Sequence, residues 1–411
     1  MADATDSVSI FAEGTFEEQI QELVLYIARN RAEDDRATFL APFQEALKPI
    51  EGKPIDQDVE RRRKIFSLVL AEVKSLGVGS EKEIEGFFNL LFAHLFSLHT
   101  SDSPEAKQYL ISLLQTISSS PSDRVSIKYR VLSNLFNAIP RKSPLRLAVY
   151  NTLLEIATAN DDLDALQLSK SDVEKWLSEW GISSKEKAAF LKSIVDAYAK
   201  AGQPSISYEY TLSYVRALPP TSSEGEAAAI DAIATAFRLP TVFDFDPLFK
   251  LDAVIAAKNN ELFSLLQVFL NGGLAEFKAW EGSHAGALEK HNLSREELER
   301  KIRLLTLASL GFKHVGQNLP YSKVVEALQV DASEVEKWVI DVIRAGLLWG
   351  KLSQTTQSLH IIRATSRTFE REQWEVLEKR LVAWKSGLAG VLEVVANAKR
   401  LAGHTPAQTS A

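Results

Sequence analysis

The feature that most constrains this chain is a helical apolar period that hardly ever stops. In "VSIKYRVLSNLFNAIP", Val125, Tyr129, Leu132 and Phe136 recur at spacings of four, three and four, which is one face of a helix. Pro140 ends that helix. The next stretch, "SPLRLAVYNTLLEIATAN", offers Ser143 as N-cap and Pro144 at the first helical position. Leu147, Tyr150, Leu154, Ile156 and Ala157 carry its apolar face, and Asn160 closes it. Together the two segments predict a helical hairpin.

The same grammar recurs along the chain. "SKSDVEKWLSEWGIS" stops at Gly181 and "SSKEKAAFLKSIVDAYAKAGQ" at Gly202, and "SEGEAAAIDAIATAFRLP" and "NNELFSLLQVFLNGG" follow the pattern. Helix pairs of roughly 35–45 residues bury their apolar faces only by stacking on neighbours. The expected fold is mostly α, a right-handed helical-repeat solenoid with no strict consensus repeat.

After about Ser294 the pattern changes. "SREELERKIRLLTLASLGF", "PYSKVVEALQV" and "DASEVEKWVIDVIRAG" read as three helices, the third capped by Asp331 or Ser333 and stopped by Gly346. "LLWGKLS" and "SLHIIRA" read as strands joined by the polar turn "QTTQ". Three helices and a hairpin make a winged helix with a two- or three-stranded sheet. One long helix follows. The expected layout is disorder over 1–13, an N-terminal helical-repeat domain over 14–202 and further repeats over 203–293. The winged helix then spans 294–368, a terminal helix 369–400 and a disordered tail 401–411.

On the terminal helix, Trp374, Leu377, Leu381, Trp384, Leu388, Val391 and Val395 step alternately by three and four, a heptad seam. Gly387 and Gly390 each weaken the helix by about 1 kcal/mol relative to alanine. A helix so built is ordered by partners rather than by propensity. The seam is therefore the first candidate interface, suited to a bundle with helices of other chains.

Composition removes most chemistry. The chain has 411 residues, no cysteine and a net charge of −7. Disulfides, thiolate metal sites and cysteine nucleophiles are excluded. His94 and His99 lie five apart and His284 and His291 seven apart, so neither pair has the spacing of a helical zinc hydrolase. No phosphate loop, nucleophile elbow or calcium loop is present. No cofactor, metal or catalytic residue is expected, and the chain is not read as an enzyme. The amino terminus lacks a secretory pattern, and no apolar run approaches a membrane span. The cytoplasm is the expected location.

Nucleic-acid binding is a separate question, because winged helices often do it. From Asp331 to Ala345 the third helix carries four acids and two bases, a net −2 that opposes a phosphate-lined groove. The basic run "RRRK" at Arg61–Lys64 opens a helix and follows the acidic "DQDVE", so it reads as a solvated or acidic-partner-binding face. Arg295, Arg300, Lys301 and Arg303 on the first winged-helix helix form the one candidate RNA-facing patch, and a weak one.

Helical repeats, a winged helix and a terminal bundle helix, in that order, resemble the PCI family. These are the scaffold subunits shared by the proteasome lid, the COP9 signalosome and translation initiation factor three. "FRLPTVFDFDPLFKLDAVIAAKNNELFSLLQVFLNGGLAEFKAW" is similar to the family's last repeats. "RVLSNLFNAIPRKSPLRLAVYNTLLEIA", "VEKWLSEWGISSKEKAAFLKSI" and "RTFEREQWEVLEKRLVAWKSGL" resemble the members found in translation initiation factor three. The likeness runs from about Arg124 to Leu388 and is weak over the first hundred residues.

The resemblance implies a non-catalytic scaffold that assembles with other PCI and MPN subunits of that factor. It implies support for recruiting mRNA and initiator tRNA to the small ribosomal subunit, with no membrane. It also implies a second interface at the winged-helix edge, where Leu347, Leu348, Trp349, Lys351, Leu359, Ile361 and Ile362 would meet a neighbouring subunit. Two alternatives remain open: a single-PCI subunit of the signalosome or proteasome lid, and a winged-helix nucleic-acid-binding regulator.

Overall fold

The computed structural model describes residues 14–48, 55–101, 103–121, 125–368 and 371–402. The disorder expected for residues 1–13 and 401–411 lies outside the described residues except at Leu401 and Ala402, which are helical. Two compact units, residues 1–217 and 218–411, divide the chain.

Among the described residues of the N-terminal unit, the regular elements are all helices. Its elements are α1 (Phe16–Ala28), α2 (Glu33–Leu47), α3 (Val59–Ala71), α4 (Glu81–Leu98), α5 (Pro104–Ser119), α6 (Val125–Ala138), α7 (Leu145–Ala159), α8 (Lys170–Glu179), α9 (Ser184–Lys200) and α10 (Pro204–Ala217). Capping boxes start three of them, Thr15 with Glu18, Ser80 with Glu83, and Ser183 with Glu186. Residue 202, the expected limit of the first repeat region, lies between α9 and α10, whose Tyr198 and Tyr210 rings stack 5.8 Å apart.

The core of this unit is aromatic where α6 to α9 meet. Phe136, Tyr150, Trp176, Trp180 and Phe190 form a continuous set of ring contacts at 4.9–6.2 Å. The face of α6 differs from the sequence reading. Ile127, Val131, Leu132 and Leu135 are fully buried, whereas Val125, Tyr129 and Phe136 are half-buried. Both sets satisfy a helical period, and only the neighbours α4 and α7 select between them. Ser143 does not cap α7 as expected. Pro144 occupies the N-cap position, and the buried Ser143 hydroxyl accepts from the Leu145 amide at 3.3 Å.

The C-terminal unit begins with α11 (Ser223–Arg238), α12 (Asp246–Phe249), α13 (Asp252–Ala256), α14 (Glu261–Asn271), α15 (Leu274–Ser283) and α16 (Ala287–Lys290). Phe237, Phe245, Phe269 and Phe277 pack there at 4.8–6.1 Å. The winged helix follows as α17 (Arg295–Lys313), β1 (Asn318–Pro320), α18 (Tyr321–Leu328), α19 (Val335–Arg344), β2 (Leu348–Ser353) and β3 (Ser358–Ala364), and α20 (Arg371–Ala402) is the last described element. The sheet is antiparallel in the order β1-β3-β2. β1 has three residues ending in proline, too short for any sequence pattern. A 3-10 turn at Ala332–Glu334, not a side-chain cap, leads into α19.

One device recurs in both units: a cation from one helix caps the carboxyl end of another. Arg61 donates to the Ala46 and Lys48 carbonyls at the end of α2, and Arg63 to Leu98 at the end of α4. Lys128 reaches Ser118 and Ser120 at the end of α5, and Arg146 donates twice to Ile139, just past α6. The last carbonyls of a helix lack intrahelical partners, and a cation satisfies both their hydrogen bonding and the helix dipole.

His94 supplies a test of the N-terminal core. Its ring lies 5.3 Å from Phe16 and 5.7 Å from Phe66. Burial, with the Arg62 charge adding to it, pushes its pKa down from 6.5 to about 4. The unfolded chain therefore binds a proton across that interval and the folded one does not. The expected outcome is a loss of stability as pH falls from 6.5 towards 4 that His94→Leu largely removes, measured by denaturant unfolding at stepped pH.

Candidate partner interface

The edge of the winged helix is set by its register. β3 lies in the middle of the sheet, so it is no edge, and the open edges are β2 and the short β1. Leu348, Leu359 and Ile361 are fully buried and Leu347 nearly so. This corrects the expectation for four of the seven edge residues: strand alternation turns Leu348, Leu359 and Ile361 into the core, and Leu347, just before β2, is buried as well. Trp349, Lys351 and Ile362 face outward. Arg363 lies across the Trp349 ring at 4.5 Å, opposite it in the register.

Two glycines make the packing possible. A Cβ on Gly350 would sit 2.6 Å from the His360 carbonyl, and one on Gly311 would sit 2.5 Å from Leu348 Cδ1. The first allows the irregular register at Trp349/Gly350, and the second lets β2 close onto α17.

The expected RNA-facing patch is not a free patch. Lys301 is only 3% exposed, and its ammonium donates to the Ala236 and Phe237 carbonyls at 2.7 and 3.0 Å. Pro240, four residues after Ala236, has no N–H to offer that carbonyl, so Lys301 takes the place of the missing donor. Arg295 pairs with Glu281 at 3.0 Å and Glu299 at 3.4 Å, and Arg300 pairs with Asp341 at 3.1 Å. Arg303 donates to the Leu328 carbonyl and pairs with Glu299. The signal was in the spacing: position 301 falls between Leu298 and Leu305 on the inner stripe of α17.

Arg367 was missed altogether. It follows β3 and donates to the Leu305, Phe269 and Gly272 carbonyls and to Thr306 Oγ1. Burial holds its pKa down at about 10, against the pull of Glu276. Nothing local in "ATSRT" marks it, because its partners are more than sixty residues away.

α20 is the least buried element. Trp374, Leu381, Trp384, Leu388, Val391 and Val395 are 45–66% exposed, and Leu377 is half-buried. Val382, Leu392 and Val394 are exposed as well. Arg380 lies 5.4 Å from the Phe312 ring, which ties the first turns back to α17. Gln373–Arg400 is long and apolar enough to cross a membrane by length and composition, with a mean hydropathy of 1.2 in its most apolar window. No uninterrupted apolar run signalled this, since Lys385 and Glu393 break the stretch.

Comparison with known proteins gives this helix a family. A family model described as "eIF3 subunit M, C-terminal helix" matches residues 367–395, and the PCI domain model matches residues 281–363. Eukaryotic translation initiation factor 3 subunit M of Phaeosphaeria nodorum is 33% identical over 404 residues, 94% of this chain and 88% of that one. The chain belongs to the eukaryotic translation initiation factor 3 subunit M family. The subunit M of Aspergillus terreus is 32% identical over 95% of this chain and 87% of its own. That of Dictyostelium discoideum is 29% identical over 78% and 80%. The subunit M helix model thus covers the seam up to Val395.

Lys301→Met tests the inward reading of the basic residues. Burial lowers the Lys301 pKa from 10.5 to about 7, so the unfolded state binds more protons across that interval. Stability from Lys301 is therefore present above pH 10.5 and declines as pH falls towards 7. Above that interval the variant is expected to be less stable by about 1–3 kcal/mol, the cost of orphaned carbonyls. The gap should narrow towards neutral pH, as read by denaturant unfolding. A filter-binding assay should find RNA affinity unchanged.

Proposed function

We propose that this chain is a non-catalytic scaffold subunit of eukaryotic translation initiation factor 3. It joins other PCI and MPN subunits in the cytoplasm and through them the small ribosomal subunit, supporting recruitment of mRNA and initiator tRNA. The observation that carries this is the exposed heptad seam of α20, on the segment that matches the subunit M helix model. A helix with two tryptophans and a row of leucines and valines in water gains about 1.5–3 kcal/mol for each such side chain fully buried against a partner. A bundle of helices from several subunits supplies that burial.

A membrane serves the same helix less well. Lys385 would cost about 2.5–3.5 kcal/mol at membrane depth, whereas in a bundle its ammonium stays at the surface. The open β2 edge, with Trp349 and Lys351, is the second contact, suited to pairing along its free backbone groups, and Ile362 on the adjoining β3 is exposed as well. Protein contact also suits α19 better than nucleic acid. Asp341 already holds Arg300, and the exposed Ile340 beside it offers an apolar contact.

The test is co-assembly. The triple variant Leu381→Glu, Trp384→Glu, Val391→Glu should lower incorporation into a reconstituted factor at least about tenfold, or ~1.4 kcal/mol. Stability of the isolated chain should change by no more than about 0.5 kcal/mol, the usual effect of surface substitutions. Undiminished incorporation would sink the seam. Capture of proteasome-lid or cullin peptides, with no initiation-factor peptides, would sink the assignment.

A further inference from the structure

The apolar surface of α20 changes width along the helix. At about 100° per residue, Trp374, Leu377, Leu381 and Trp384 fall within an arc of roughly 80°. Glu378, Arg380 and Lys385 border that arc. Further on, Leu388, Val391, Leu392, Val394 and Val395 spread over roughly 160°, and all five are exposed. Glu393 is the one charged residue between 386 and 398, and Lys399 then returns a charge to the seam side.

The extra width lies on one side. Val394 stands two heptads beyond Arg380, so the two share a side of the helix. At Arg380 that side is met from within the chain, by the Phe312 ring of α17 at 5.4 Å. At Val394 it is open, with the side chain 68% exposed. Gly387 and Gly390 lie on the same side. A Cβ on either would meet nothing within 4 Å among the described residues. The helix thus gives up stability at two positions where its own fold asks for no glycine. Bare backbone at such positions lets another helix come close.

We infer that residues 388–395 of α20 sit between two apolar helices of partner subunits, one on the heptad seam and one on the side of Gly387, Gly390 and Val394, whereas the part before them meets a partner helix on the seam alone. A narrow heptad stripe matches one neighbour, and an apolar face this broad needs more than one to bury it. The second helix fills at Val394 the side that Phe312 fills at Arg380. Seam and side are continuous, so a single bundle supplies both neighbours. This rests on the bundle proposed above, which by itself leaves the number of neighbours open.

Val394 and Val382 make a matched test and control, since both lie off the seam and are 68% and 61% exposed. In a reconstituted factor, Val394→Glu should lower incorporation about tenfold, and Val382→Glu should leave it unchanged. Gly387→Leu with Gly390→Leu should raise the helicity of the free chain yet weaken incorporation, opposite signs that a merely structural role does not give. Thermal melts establish that each variant folds. The chain has no cysteine, so single introduced cysteines report accessibility. Val394→Cys should react with a maleimide in the free chain and be protected in the assembled factor. Glu393→Cys, on the outer side, should react in both. Full incorporation of Val394→Glu with a reactive Val394→Cys, while the seam triple still fails to assemble, would overturn the two-helix arrangement alone. Normal assembly of the seam triple as well would take the bundle with it. Self-association of the free chain, or its uptake by phosphatidylcholine vesicles, would also overturn the arrangement if Val394→Glu abolishes it.

Discussion

Everything in this molecule rests on how stacked helices end. An α-helix leaves its last carbonyls without partners, and a repeat architecture buries many such ends. Here the answer is a cation from another segment of the chain. Lys128 and Arg146 do this in the N-terminal unit, and Lys301 and Arg367 in the C-terminal unit. Each bond joins segments separated in sequence, so each closes a helix and fixes a neighbour at once. The arrangement has a cost, because a buried cation without its carbonyls would be strongly unfavourable. It follows that these positions tolerate little beyond the side chain they hold.

That use of cations explains why basic residues say so little about nucleic acid here. Two arginines of the "RRRK" run are committed to helix ends, and Arg62 lies 5.7 Å from the Phe16 ring. Arg295, Arg300, Lys301 and Arg303 of α17 are engaged within the C-terminal unit. A cation count by itself cannot separate a capping arginine from one facing solvent. Spacing can: Lys301 stands inside an apolar stripe, where a solvent-facing lysine has no place.

The helical period made most elements legible, since amphipathic segments bounded by serine, proline and glycine have one main reading. The strands β2 and β3 were legible from their alternation and the polar turn between them. What escaped was non-local. The order β1-β3-β2 depends on three residues too short to carry a pattern, and that order takes β3 out of an edge expected to include both hairpin strands. Leu359 and Ile361 belong to the core because they alternate onto the inner face of β3. Arg367 escaped because its acceptors come from α14 and α17. The α20 seam was read correctly as a period, but only the structure could say that it meets almost nothing in its own chain.

An apolar helix left in water is the feature the functional reading depends on, and amide hydrogen exchange measures it most directly. In the isolated chain, the amides from Leu381 to Val395 should exchange fast, because no tertiary burial protects them. In the assembled factor the same amides should become strongly protected, while those of α17 stay as they were. Equal exchange of the Leu381–Val395 amides in the free and assembled chain would contradict the account.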